Sequence, residues 1–175
     1  MYHRRLKGRV LKAERSVSFK CHKIAGGRGR GEALISADAI CFYQTDPETG
    51  KIFEKGHALE GQSVANKVVI FRGGKGSSVV QGEGLHQLRK KGTAPQAMIV
   101  EDPDTTLVAG AVIWRIPLVD RVEKGFYKQV KNGSEVQVDA NRGRIALTIE
   151  GPVASVHSGR KESVLRPGRQ SKSKD

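Results

Sequence analysis

Residues 67–78 read Lys67-Val68-Val69-Ile70-Phe71-Arg72-Gly73-Gly74-Lys75-Gly76-Ser77-Ser78. The apolar run has the composition of a buried strand, and the glycine-rich turn after it opens a helical segment reaching about Lys91. Residues 95–100, with Ala97, Met98 and Ile99, read as a second buried strand. Asp104 then caps a small-residue helix running to Trp114, and Ile116-Pro117-Leu118-Val119 is a third strand. Two strand–helix–strand units in a row predict parallel strands with right-handed crossovers.

Outward from this centre the chain reads as β structure on both sides. Leu6-Lys7-Gly8-Arg9-Val10-Leu11 fits a first strand, and residues 16–21 alternate apolar and polar through Val17, Phe19 and Cys21. Gly26-Gly27-Arg28-Gly29-Arg30-Gly31 breaks the alternation and reads as a loop. Residues 32–36 and 40–43 are short strand candidates, separated from Ile52 by the turn Thr45-Asp46-Pro47-Glu48-Thr49-Gly50. Asn132-Gly133 turns into a strand at 135–139, and Asn141-Arg142-Gly143 turns into another at 145–149, a closing hairpin. The fold class is α/β: β-rich ends closing, barrel-like, around a parallel β/α unit. Residues 158–175, rich in Ser, Lys and Arg, are expected to be a disordered tail.

The 175 residues hold 31 Lys+Arg against 18 Asp+Glu, a net charge of +13. The excess is confined to the ends. Residues 1–31 carry +9, residues 151–175 carry +4, and residues 32–150 balance to zero. A basic nucleic-acid groove within the fold is therefore not expected; nucleic acid would be met through the basic ends only. The longest apolar run, residues 107–114, is far too short to span a bilayer, and the basic N-terminus is followed by no apolar stretch of a secretory signal. Two cysteines make neither a disulfide framework nor, alone, a four-ligand metal site. A cytoplasmic protein is the expectation.

The most informative chemistry is the loop at 73–78. Backbone N–H groups and a helix start converge there with Lys75, Ser77 and Ser78. The segment is not a Walker A loop, because Lys75 precedes the final glycine. Loop chemistry alone leaves two readings open, an anion-binding or catalytic site and a plain capped turn. His3, His22, His57, His86 and His157 show no metal-ligand spacing, and Cys41 reads as a small core residue.

Several motifs come in one order: Gly31-Glu32-Ala33-Leu34, Asp46-Pro47-Glu48-Thr49-Gly50, Gly61-Gln62-Ser63, strand 67–71 with Gly74-Lys75-Gly76-Ser77-Ser78, Gly92-Thr93-Ala94-Pro95 and Ile116-Pro117-Leu118-Val119-Asp120. Together they resemble the small subunit of the aconitase X family, from roughly Leu6 to Glu150. The resemblance implies a swivelling β/β/α domain over residues 1–157, with a basic insertion at about 12–30. It implies a hydro-lyase active only with a large catalytic subunit, which holds the iron–sulfur cluster and most ligands of a small carboxylate substrate. In the implied dehydration a proton is removed next to a carboxylate while hydroxide leaves toward iron. By position Ser77 is the proton acceptor, and Lys75, Gly76, Ser78 and Asp46 are the substrate-binding set, with no metal held by this chain.

Family substrates include (R)-5-phosphomevalonate, in two-subunit enzymes of the mevalonate route to isoprenoids, and cis-3-hydroxy-L-proline, typically in fused enzymes. A separate small chain favours the first. The competing reading is a non-enzymatic nucleic-acid-associated protein using its basic arms.

Overall fold

A computed structural model describes residues 13–151 of the chain. The expected strand at 6–11 and the tail at 158–175 lie outside the described residues. The strands are β1 (Ala13–Lys20), β2 (His22–Ala25), β3 (Arg28–Ile35), β4 (Val68–Phe71), β5 (Ala97–Val100), β6 (Leu118–Asp120), β7 (Glu135–Asp139) and β8 (Arg144–Gly151). The helices are α1 (Ser78–Lys91), α2 (Thr105–Ile113) and the single turn α3 (Lys124–Tyr127). The strands share one sheet in the order β1-β8-β7-β3-β4-β5-β6-β2.

Strand β3 joins two kinds of pairing. Its first half, from Arg28 to Glu32, is antiparallel to β7, and its second half, from Ala33 to Ile35, is parallel to β4. From there β4, β5 and β6 continue in parallel, through the crossovers α1 and α2. The predicted strand–helix–strand pair is therefore present. The edges β1 and β2 are separated in the chain only by Cys21, and one residue cannot span a flat eight-stranded sheet. The sheet must curl until its edges meet. At that seam Cys21 donates its N–H to Gly143 O (3.0 Å), and Lys20 donates its N–H to Glu123 Oε2 (2.8 Å).

Alternate residues of the parallel strands serve two cores, the period of two expected of a strand buried on both faces. Leu34, Val69, Phe71, Met98, Val100 and Leu118 face α1 and α2, where Leu85, Leu88, Leu107 and Ala111 meet them. Ala33, Val68, Ile70, Ala97, Ile99 and Val119 face the other way, toward Phe19, Phe126, Val136, Val138, Ile145 and Leu147. Helix α1 buries Gln81, Gly84, Leu85 and Leu88, the spacing of one helical face. It comes so close to the short 3-10 turn Phe42–Gln44 that a Cβ on Gly84 would lie 2.3 Å from Phe42 C.

Two expectations are corrected. Of the expected loop at 26–31 only Gly26 and Gly27 connect strands: Arg28, Gly29, Arg30 and Gly31 belong to β3. The glycines are there because a Cβ on Gly29 would fall 2.0 Å from Gln96 O, and one on Gly31 2.3 Å from Asn66 O. Within the expected basic insertion at 12–30, residues 13–20, 22–25 and 28–30 are strand, supplying β1, β2 and the start of β3, with Arg28 paired to Asp139 (2.8 Å) and Arg30 to Glu135 (2.5 Å). Residues 40–43 are not a regular strand: Ile40 makes one parallel bridge to Gly74, and a 3-10 turn starts at Phe42, with Cys41 buried between them.

Candidate functional site

The loop between β4 and α1 lies at the C-terminal end of the parallel strands, where α/β sheets bind ligands. Ile40 grips it from one side: its N–H donates to Gly73 O (2.9 Å), and Lys75 N–H donates to Ile40 O (3.1 Å). The loop after β5 grips it from the other side. A Cβ on Gly73 would come within 2.5 Å of Asp102 O, and Gly74 N–H donates to Asp104 Oδ2 (3.2 Å). Asp104 also caps α2 as expected, its Oδ1 accepting the N–H groups of Thr106 (3.0 Å) and Leu107 (2.9 Å). Gly76 takes φ +107°, a conformation L side chains rarely adopt, and thereby turns the chain into the helix.

Ser77 is the N-cap residue of α1, with φ −71° and ψ 166°. Its carbonyl accepts Gln81 N–H (3.0 Å), but its side chain makes no capping hydrogen bond. The residue is exposed, and among the described residues its hydroxyl has no hydrogen-bond partner, which leaves it available as an acid–base or ligand-binding group. Ser78 is exposed as the first helical residue. Lys75 and Gly76 complete the cluster expected from the sequence. The Asp46 carboxylate is committed to its own turn: Oδ1 accepts Glu48 N–H (2.9 Å) and Oδ2 accepts the Thr49 hydroxyl (2.7 Å). Those bonds hold its carboxyl below the usual range.

Two neighbours of the loop carry no sequence motif that flags them. Glu54 pairs with the Lys75 ammonium through Oε1, while its Oε2 is shut off from water without a partner. Gln81, 1 % exposed, has neither amide atom hydrogen-bonded. Beside Glu54, Phe53 and Tyr43 are each 55 % exposed and line a groove of about 360 Å³ with Phe42, Pro47, Glu83 and Gln87. A larger open depression of about 730 Å³, bordered by Lys128, Lys131, Glu135 and Thr148, shares no residue with the loop.

Two of the described histidines, His57 and His86, have local tasks. His57 accepts Leu59 N–H at Nδ1 (2.9 Å) and faces Ala39 O with Nε2 (3.3 Å), so the ring links two turns. His86 stacks on Trp114 at 4.3 Å. Among the described residues no three His, Cys, Asp or Glu groups converge on one point. Burial, then Asp120 and Asp139, push the Cys21 thiol up to about 11, which disfavours the thiolate an iron–sulfur cluster needs. The donor set of the described residues does not fit such a cluster.

Residues 18–147 match the family described as the aconitase X swivel domain. A protein of Methanocella arvoryzae named phosphomevalonate dehydratase small subunit is 46% identical over 133 residues, 75% of this chain and 100% of that protein. One of the same name from Methanothrix thermoacetophila is 44% identical over 132 residues, 75% of this chain and 95% of that one. The crystal structure of Thermococcus kodakaraensis aconitase X in its holo-form superposes with a TM-score of 0.68 at 36% identity, covering 75% of this chain and 98% of that one. This chain belongs to the aconitase X swivel-domain family.

Proposed function

We propose that this chain is the small subunit of a two-subunit hydro-lyase that dehydrates (R)-5-phosphomevalonate, with Ser77 as the proton acceptor. The relatives' shared name supports the substrate. The observation that carries the role of Ser77 is its free hydroxyl on a fixed backbone: the N-cap position is set by Gly76 and Gln81, yet the side chain caps nothing. A serine hydroxyl is a weak base unless the negative charge it takes on is stabilised, and the α1 N-terminus and Lys75 offer that stabilisation. Lys75, Gly76 and Ser78 face the substrate; Asp46 shapes its turn.

The cluster and the departure of hydroxide fall to a large subunit, in line with the relatives' naming as small subunits. Tyr43 and Phe53, with Val79 at 77 % exposed, supply apolar surface for that partner. The swivel domain is taken over residues 1–157, with the family match at 18–147 inside it.

The test is turnover of the reconstituted complex. Ser77→Ala should assemble and melt as the parent does, yet lose on the order of a hundredfold or more in rate. Ser78→Ala should lose much less. A fully active Ser77→Ala complex would reduce the loop to a helix start.

A further inference from the structure

Glu54 reaches the loop from a segment otherwise remote from it. Its backbone is pinned: Phe53 N–H donates to Gln44 O (3.0 Å), His57 N–H to Glu54 O (3.4 Å), and Glu60 Oε2 accepts Gly56 N–H (2.9 Å). The Lys75 backbone is held too, by Ile40 O (3.1 Å), but a long flexible stem separates its charge from that backbone. The Glu54 side chain is 20% exposed and that of Lys75 42%, so the acid is the anchored member of the pair.

We infer that Glu54 is a positioning residue for the reaction: it fixes the Lys75 ammonium beside the helix start that carries Ser77. The inference rests on the reading of Ser77 and Lys75 given above. Its physical basis is the orphaned oxygen. Oε2 of Glu54 is out of contact with water and receives no hydrogen bond, which is unfavourable for folding. An apolar side chain of similar size would leave no such atom, so packing alone does not explain a carboxylate there. The bond its other oxygen makes to Lys75 does. Without it the ammonium would sample the rotamers of a half-exposed lysine, and a catalytic charge displaced by about 1 Å loses much of its effect.

The experiment uses the reconstituted two-subunit complex with Glu54→Leu, Glu54→Gln, Lys75→Met and the Glu54→Leu/Lys75→Met double variant. Glu54→Leu should leave the melting temperature at or above the parent value and lower kcat by about tenfold to a hundredfold, with a smaller change in KM. Glu54→Gln, which keeps an acceptor at the same reach, should recover most of that loss. The double variant should be no slower than Lys75→Met alone, because Glu54 acts through Lys75. Multiplicative losses, a Glu54→Leu enzyme with the parent's kcat, or a Glu54→Leu chain that no longer assembles would each overturn the inference. Ser77→Ala separates the two claims. If it is inactive while Glu54→Leu is fully active, only the role of Glu54 fails; if it is active, the reading of the loop itself fails.

Discussion

The side-chain amide of Gln81 lies against Gly74, so close that a Cβ on Gly74 would stand 2.3 Å from Nε2 and 2.6 Å from Oε1. The Asp104 carboxylate closes the same space, its Oδ2 lying 2.7 Å from that Cβ position. One glycine thus lets the first turn of α1 and the cap of α2 both approach the loop that carries Ser77. The absence of a side chain at Gly74 is a requirement of packing.

Gly74→Ala should therefore destabilise the isolated chain by on the order of 1–3 kcal/mol, the usual range for forcing extra volume into a filled site. Gly82→Ala is the matched control. A Cβ there meets nothing within 4 Å, and alanine in a helix interior is favoured over glycine by up to about 1 kcal/mol. Urea unfolding of the two variants should move the midpoint in opposite directions. Equal shifts would mean that the loop yields around Gly74.

Gln81→Met tests the unpaired amide. Both polar atoms of Gln81 are buried without partners, and methionine has a similar length with no amide to desolvate. The substitution should leave stability unchanged or raise it by about 1 kcal/mol. A loss of that size, read from the same urea curves, would show that the amide is hydrogen-bonded in solution.

The parallel centre was legible because the run Val68 to Phe71 is apolar throughout, a pattern with few alternatives once a glycine-rich turn and a helix follow. The segment Arg28-Gly29-Arg30-Gly31 was illegible for an equally physical reason. Local composition says loop, while the cause of its glycines is the carbonyls of Gln96 and Asn66, which are distant in sequence. The place of Ser77 at the start of α1 was legible from the glycine-rich turn before it. Glu54 was not, since it lies 21 positions from Lys75 and carries no local pattern that would announce the ion pair.

Alkaline pH should weaken the fold through Cys21 and Tyr127. Burial, aided by nearby carboxylates, pushes the thiol up to about 11 and the phenol up to about 12. The folded chain then holds protons that the unfolded chain releases, so unfolding gains as pH rises. For Cys21 the contribution is full below its ordinary value of 9.0 and is lost as pH climbs toward about 11. Melting temperatures should be flat from pH 7 to pH 8 and fall above pH 9. Iodoacetamide should label Cys21 more slowly in the folded chain than in urea; equal rates would remove the raised thiol from this account.

Asp104 offers the sharpest test of how the two loops are tied. Its Oδ1 serves α2 through Thr106 and Leu107, and its Oδ2 serves the Ser77 loop through Gly74 N–H. Asp104→Ala removes all three bonds and should cost about 1–2 kcal/mol, the range for an N-cap lost to alanine. Asp104→Asn divides the functions. Its amide oxygen can still accept from Thr106 and Leu107, but its NH₂ would then confront Gly74 N–H, donor against donor. Stability should fall less than for alanine, while the Gly74 amide should exchange its hydrogen markedly faster, a readout that global unfolding does not explain when most other amides of β4 and β5 stay protected. An asparagine variant with unchanged Gly74 exchange would mean that Asp104 caps α2 and leaves the Ser77 loop to the backbone bonds of Ile40.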